Sequence, residues 1–272
     1  MPELPEVEIV CRNLAKMIEP GSAIREWKFF RSDLRFKIPK AQLQKLRNLP
    51  LVKISRRAKY ILFDFGEALL ISHLGMTGSW RLEKAGWPRR KHDHLAFAVD
   101  KKTFFVFEDP RRFGFIEVVR KEKLAERFSL LGAEPLDMTI DFELLGQSFK
   151  RLKSPVKTAL MNQKLIVGVG NIYASEVLFR TGVNPQKKCS KLSQQEFSAI
   201  FREIDSVLTA AISAGGSSIS SYRNSYGEKG KFQTSLFVYG RKSQPCLKCE
   251  TPIKSGVQAG RSTFWCPKCQ KK

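Results

Sequence analysis

The sequence predicts an α+β protein of two domains: an antiparallel sandwich or barrel opened by an N-terminal helix, then a helical domain carrying a metal-binding hairpin. Three observations predict it. Short β-like runs crowd the segment from Ala23 to Val119, helical periodicity follows residue 139, and two C-x2-C pairs lie near the C-terminus. A chain of 272 residues, 42% of them hydrophobic, is enough for two ordinary cores.

From Pro5 to Ile18, Val7, Val10, Leu14 and Met17 recur at helical spacing, and Cys11 and Ile18 widen the stripe. Pro5 suits a first turn, where its missing N–H has no partner to lose, and Glu6 and Glu8 complement the positive helix end. The runs "YILFDF" (60–65), "ALLISHL" (68–74), "HLAFAV" (94–99), "TFFVFE" (103–108) and "FGFIEVV" (113–119) then read as strands between turn-rich segments. "LGAEPLDMT" (131–139) reads as a linker. Leu144 to Leu152, Ser154 to Gln163, Ile172 to Arg180 and Ser193 to Ala214 read as helices, the last opened by a Ser193/Glu196 capping box. Residues 213–232, rich in Gly and Ser, read as a loop.

Charge narrows the function classes. There are 48 Lys+Arg against 26 Asp+Glu, a formal net charge of +22. Such an excess repels itself in a compact fold, so a polyanionic partner is the economical explanation. Nucleic acid is favoured over a membrane: no apolar run approaches about 18 residues, and Met1-Pro2-Glu3 lacks the basic start of a signal peptide. The expected location is the cytoplasm, in association with the nucleoid. A ribosomal or merely basic protein competes on charge alone.

Cys246, Cys249, Cys266 and Cys269 form two C-x2-C knuckles with sixteen residues between them. In a reducing compartment that spacing reads as metal ligation, not as a disulfide framework. Four thiolates close a tetrahedral shell and leave no position for water, so one structural zinc ion per chain is expected. The residues between the knuckles look like two strands and a turn, with Arg261 just before the second strand. Residues 236–272 hold eight Lys+Arg and one Glu.

The opening "MPELPEVE" has two readings. In one, Pro2 and Pro5 merely frame a helix start. In the other, removal of Met1 exposes Pro2 as a secondary amine, whose pKa of about 7.7–8 makes it a better-populated nucleophile at neutral pH than lysine. Condensed with a sugar C1′, that amine gives an iminium, an electron sink that acidifies C2′–H, and Glu3 is placed to move protons.

Seven motifs occur in one order: "MPELPEVE", "RRAKY" (56–60), "HLGMTGS" (73–79), "KHDH" (91–94), "DPRRFG" (109–114), "GVGNIYASE" (168–176) and the paired CxxC tail. Together they resemble the formamidopyrimidine-DNA glycosylase family over essentially the whole chain. The resemblance implies an N-terminal β-sandwich (1–132), a helix-two-turn-helix domain (133–235) and a C-terminal zinc finger (236–272). It implies a monomer that binds double-stranded DNA containing oxidised purines or abasic sites, excises the damaged base and cleaves the strand by β,δ-elimination, with no redox cofactor or catalytic metal. The sister group, endonuclease VIII, which acts on oxidised pyrimidines, is the nearest alternative; Leu4 and the set Met76/Arg111/Phe113 favour the purine enzyme. A zinc-ribbon DNA-binding protein without catalysis is the alternative of another class.

Carried over by position, the resemblance makes Pro2 the Schiff-base nucleophile, Glu3 the general acid and Glu6 a supporting carboxylate. Charge compensation at the helix start is an equal reading for Glu6. Lys59 matches a lysine assigned to proton donation in β-elimination, and Arg261 the zinc-finger arginine assigned to δ-elimination. A base inside a duplex must be turned out to be reached. Met76, Arg111 and Phe113 match the residues that fill the vacancy: a flexible thioether, a planar cation and an aromatic wedge. His73 and His92 match phosphate or site contacts, and His94 reads as structural. Lys157 and Asn171 match phosphate contacts, Arg151 and Lys153 line the same basic face, and Tyr239 is a further candidate. The loop from Ser217 to Gly230 corresponds to a flap over the extruded base. Ala133 departs from the family, which commonly has proline there.

Overall fold

The computed structural model describes residues 2–137, 140–217 and 230–271. The chain divides into two compact units, Met1–Ser129 with Ala214–Lys231, and Leu130–Ser213 with Phe232–Lys272. Met1, and the expected flap apart from Ser217 and Gly230, lie outside the described residues.

In the first unit α1 (Leu4–Met17) is followed by β1 (Glu26–Phe29), a short α2 (Lys40–Lys45), β2 (Lys53–Arg57), β3 (Tyr60–Asp64) and β4 (Ala68–His73). Then come β5 (Ser79–Lys84), β6 (Asp93–Ala98), β7 (Thr103–Glu108), β8 (Phe115–Arg120) and α3 (Leu124–Arg127). The strands form two antiparallel four-stranded sheets, ordered β1-β6-β7-β5 and β2-β3-β4-β8. One core serves both sheets and α1. Val7, Val10 and Leu14 share it with Ile61, Phe63 and Leu70 from one sheet and Trp80, Phe97, Phe105 and Phe107 from the other. That shared filling makes the architecture a sandwich. Alternation in "TFFVFE" sends Phe105 and Phe107 inward, while Phe104 and Val106 join Ala96 and Ala98 in a second cluster under Phe30 and Trp87. β6 is therefore buried along its whole length.

The second unit holds α4 (Phe142–Lys150), α5 (Val156–Leu160), α6 (Asn171–Arg180), α7 (Gln194–Ser213) and the hairpin of β9 (Lys254–Gln258) and β10 (Arg261–Trp265). The capping box expected before α7 forms in both directions: Glu196 N–H donates to Ser193 Oγ at 3.1 Å, and Ser193 N–H to Glu196 Oε2 at 2.8 Å. The rings of Phe149, Phe197 and Phe201 pack α4 against α7. In the hairpin turn Ala259 and Gly260 both take positive φ, the geometry that matches strand twist.

Two sequence expectations change. The β-textured segment contains α2, whose six residues bury only Leu43 and so show no helical stripe. The start of the supposed linker is paired backbone: Gly132 and Ala133 N–H donate to the carbonyls of Gln163 (2.8 Å) and Leu165 (3.0 Å), and Val167 N–H to that of Ala133 (2.9 Å). Cys11 and Cys189 are buried, and burial pushes their thiols up to about 12 and about 11. They act as small hydrophobic side chains.

Ala58, first residue of the two-residue turn joining β2 and β3, sits at φ 53°. Left-handed backbone disfavours alanine, and glycine's looser unfolded state offsets part of the relief. Ala58→Gly should therefore stabilise the protein by roughly 0.5–1 kcal/mol. A lowered urea midpoint would show that the strain is absent.

Candidate nucleic-acid interface and metal centre

The start of α1 gathers buried polar groups. Pro2, Glu3 and Glu6 are buried, as is Lys59 in the β2–β3 turn. Glu6 accepts the Glu3 N–H through Oε2 and the Ser217 N–H through Oε1, both at 2.8 Å. It thus serves helix capping and also ties down Ser217, the first residue of the expected flap. The turn bearing Lys59 is fixed from α1 as well. Glu8 accepts from Arg56 and Arg12, each at 2.7 Å, and Arg56 also donates to the Ala58 carbonyl at 2.8 Å. Burial alone would raise the Glu8 carboxyl; the bonds to Arg56 and Arg12 outweigh it and hold the group below its ordinary value.

Loops at one end of the sandwich carry Met76 (between β4 and β5) and Arg111 and Phe113 (between β7 and β8). Phe113 is 45% exposed, and the Arg111 guanidinium lies 4.7 Å from its ring centre. A cation stacked on an exposed ring is a ready platform for bases. His73, at the end of β4, accepts the Gly75 N–H on Nδ1 at 3.0 Å and stacks on Phe115. Burial first, and the nearby Lys59 charge second, push its pKa down to about 4. The ring is therefore neutral at physiological pH, with its hydrogen on Nε2. His92 is half-buried, and its carbonyl accepts the Asp109 N–H at 3.1 Å. His94 is structural as expected: it is buried, and Nε2 donates to the Asp109 carbonyl at 2.8 Å.

In the second unit Lys157, Asn171, Tyr239 and the start of β10 come together. Buried Lys157 donates to Asn171 Oδ1 (2.5 Å), Ser262 O (2.9 Å) and Thr263 Oγ1 (2.8 Å). With Oδ1 engaged, the Asn171 amide nitrogen points to the Tyr239 hydroxyl at 3.4 Å. Arg261, next to Ser262, is exposed, as are Arg151 and Lys153. The turn before α6 is shaped by Gln163, which accepts the Gly168 N–H at 2.9 Å and donates to Val169 O at 3.1 Å. Glu176, buried on α6, accepts the N–H groups of Phe237 (2.8 Å), Val238 (3.0 Å) and Tyr239 (2.9 Å).

The four knuckle cysteines are unbonded thiols whose Sγ atoms all lie within 4.8 Å of one another. Neighbouring sulfurs stand 3.4–3.9 Å apart. Thiolates about 2.3 Å from one tetrahedral ion would be about 3.8 Å apart, so the set fits one closed, structural metal site. Among the described residues no helix is long and apolar enough to cross a membrane.

Comparison with known proteins agrees with this geometry. The formamidopyrimidine-DNA glycosylase N-terminal domain matches residues 1–116, its H2TH domain residues 131–223, and the zinc finger found in FPG and IleRS residues 243–272. The formamidopyrimidine-DNA glycosylase of Bdellovibrio bacteriovorus is 43% identical over 271 residues, covering 100% of both chains. The chain belongs to the formamidopyrimidine-DNA glycosylase family. The family's enzyme from Thiobacillus denitrificans is 41% identical, again with both chains fully covered. Lactococcus lactis Fpg in complex with abasic-site DNA superimposes with a TM-score of 0.91 at 36% identity, covering 99% of this chain and 100% of that one. A mutant of that Fpg with Fapy-dG DNA superimposes with a TM-score of 0.92 at 36% identity, both chains fully covered.

Sequence reasoning assigned no role to Gln163, Glu176, Thr77 or Asp109. The available signal was chemical: Asp109 and Glu176 are acidic residues inside otherwise basic or apolar motifs, which suggests an internal partner.

Two expectations follow. The folded pKa of His73 lies below its unfolded value, so neutral His73 contributes stability that is complete above about pH 6.5 and lost as pH falls toward about 4. His73→Asn, which keeps an acceptor for Gly75, should flatten the fall in melting temperature over that window; an unchanged slope would place the titration elsewhere. Chelation should release one metal equivalent per chain and remove amide protection from β9 and β10 while leaving that of the sandwich. Retained hairpin protection would mean that the cysteines do not hold the fold together.

Proposed function

We propose that this protein is a bifunctional DNA glycosylase and AP lyase of base excision repair, acting as a monomer on double-stranded DNA in the bacterial cytoplasm. Its substrates are 8-oxoguanine, formamidopyrimidines and abasic sites, and its metal is one structural zinc ion on Cys246, Cys249, Cys266 and Cys269. The observation that carries this reading is the burial of Pro2, Glu3 and Glu6 at the start of α1 and of Lys59 in a turn that Arg56 fastens to Glu8 of the same helix. Charged groups are costly to bury, and a cluster of them at one helix start is a candidate for catalytic work.

Freed of Met1, the Pro2 nitrogen bonds to C1′ as the glycosidic bond breaks and the base leaves with its electron pair. Glu3 protonates the ring oxygen as the sugar opens, giving an iminium. Loss of the acidified C2′ proton expels the 3′ phosphate, and a second elimination expels the 5′ phosphate. Lys59 moves protons at the first elimination, and Arg261 grips phosphate at the second. Glu6 holds Glu3 and Ser217 in place. Met76, Arg111 and Phe113 fill the space left by the extruded nucleotide. His73 offers a neutral Nε2–H and not a charge. His92, Arg151, Lys153, Lys157, Asn171 and Tyr239 serve the phosphate backbone, directly or by orienting one another.

Borohydride reduction during turnover should trap the enzyme on DNA, with the sugar located on Pro2 by peptide mass spectrometry. A form whose N-terminal residue cannot be removed should bind DNA but give neither adduct nor strand cleavage. An adduct on a lysine, or cleavage by the blocked form, would falsify the mechanism. Preference for thymine glycol over 8-oxoguanine opposite cytosine would assign the protein to the pyrimidine-directed sister group.

A further inference from the structure

The loops carrying Met76, Arg111 and Phe113 are fastened to one another by one hydroxyl and one carboxylate. Asp109 is fully buried. Its Oδ1 accepts the Thr77 hydroxyl at 2.5 Å and the Arg111 N–H at 3.3 Å, and its Oδ2 accepts the Gly114 N–H at 2.8 Å. The Thr77 oxygen itself accepts the Arg111 N–H at 3.1 Å. A single amide in one loop is therefore shared between a side chain of its own loop and a side chain of the other. The Asp109 backbone is equally committed: its N–H donates to His92 O, and its carbonyl accepts from His94 and Arg112. Behind this knot the two loops touch backbone to backbone. Gly75 sits at φ 61°, where a Cβ would overlap the Gly114 nitrogen, and a Cβ on Gly114 would come within 2.8 Å of the His73 carbonyl oxygen.

We propose that Thr77 is a positioning residue: its hydroxyl, held by Asp109, couples the Met76 loop to the Arg111–Phe113 loop so that the three side chains enter the duplex as one wedge. This rests on the base-extruding function proposed above. Loops that moved independently would have to be ordered one at a time as the base leaves the stack, and a tied pair avoids that penalty. The tie is internal. Asp109 is buried, so its negative charge is withdrawn from phosphates, and Thr77 keeps its single hydroxyl turned to Asp109. Thr77 acts through Met76, Arg111 and Phe113, not on the DNA.

The test compares Thr77→Val, which keeps shape without the hydroxyl, with Thr77→Ser, which restores it. Two rates are measured: cleavage of an 8-oxoguanine·cytosine duplex and cleavage of a single-stranded abasic oligonucleotide, which has no stack to refill. The duplex-to-single-strand ratio should fall about tenfold in the valine variant, as for loss of one hydrogen bond to a charged group, and recover in the serine variant. In DNA-free protein, exchange of the Arg111 and Gly114 amides should quicken by a similar factor. An unchanged ratio, or an equal fall in both rates, overturns the proposal; unchanged amide exchange overturns it independently. A wild-type protein inactive on both substrates defeats the functional reading instead, and the exchange measurement still decides whether Thr77 ties the loops.

Discussion

Carboxylates buried against backbone N–H groups hold the irregular segments of this protein in place. Glu6 collects the amides of Glu3 and Ser217, Asp109 those of Arg111 and Gly114, and Glu176 three in succession from Phe237 to Tyr239. The acceptors stand on helices or at a strand end, and most of their donors lie in loops. A loop has no ladder of its own, so each buried N–H needs an outside acceptor. A carboxylate offers several lone pairs and makes stronger bonds than a neutral oxygen. The penalty is desolvation. At Glu176 it prevails, and the carboxyl is raised despite its three amide donors.

The same arrangement shapes the protein's outer charge. Among the described residues, Glu3, Glu6, Asp64, Asp93, Asp109 and Glu176 are buried, but only Lys59 and Lys157 of the lysines and arginines. Two further acids, Glu83 and Glu108, pair with Arg81, as the buried Asp93 also does. Removing acids from the surface makes the accessible charge more basic than the formal +22. A polyanion meets that excess at long range, where screening by salt is strongest. Internal anions thus order the loops without repelling a phosphate backbone.

Legibility in the sequence followed the range of the interactions. The Ser193/Glu196 capping box, the cysteine knuckles and the β9–β10 hairpin depend on residues within a few positions of one another, and the sequence shows them directly. The strands of the sandwich were legible because short apolar runs such as "TFFVFE", buried on both faces, stand between turn-rich segments. α2 was hidden because one buried leucine makes no stripe. Pairing of Gly132 and Ala133 with Gln163 and Leu165 was hidden because its partners lie some thirty positions away and are carbonyls, to which residue identity is silent. Asp109 shows the limit most clearly. Its motif was visible, but its hold on Thr77 spans 32 positions and could not be read from "DPRRFG".

Lys157 shows how a buried charge can serve a surface it does not reach. Its ammonium is engaged inside the second unit by Asn171, Ser262 and Thr263. Binding Asn171 Oδ1 settles the orientation of that amide, so its NH2 and not its oxygen is turned to the Tyr239 hydroxyl. For an anionic partner the sign of that choice matters: a carbonyl oxygen would repel phosphate, whereas an NH2 can donate to it. Binding Ser262 O and Thr263 Oγ1 fixes the backbone next to Arg261, whose own side chain stays exposed. One inaccessible cation therefore sets the orientation of a neutral group and the mounting of an exposed one. In the first unit Asp109 does the corresponding work with the opposite charge, holding the backbone on either side of Phe113 through the amides of Arg111 and Gly114.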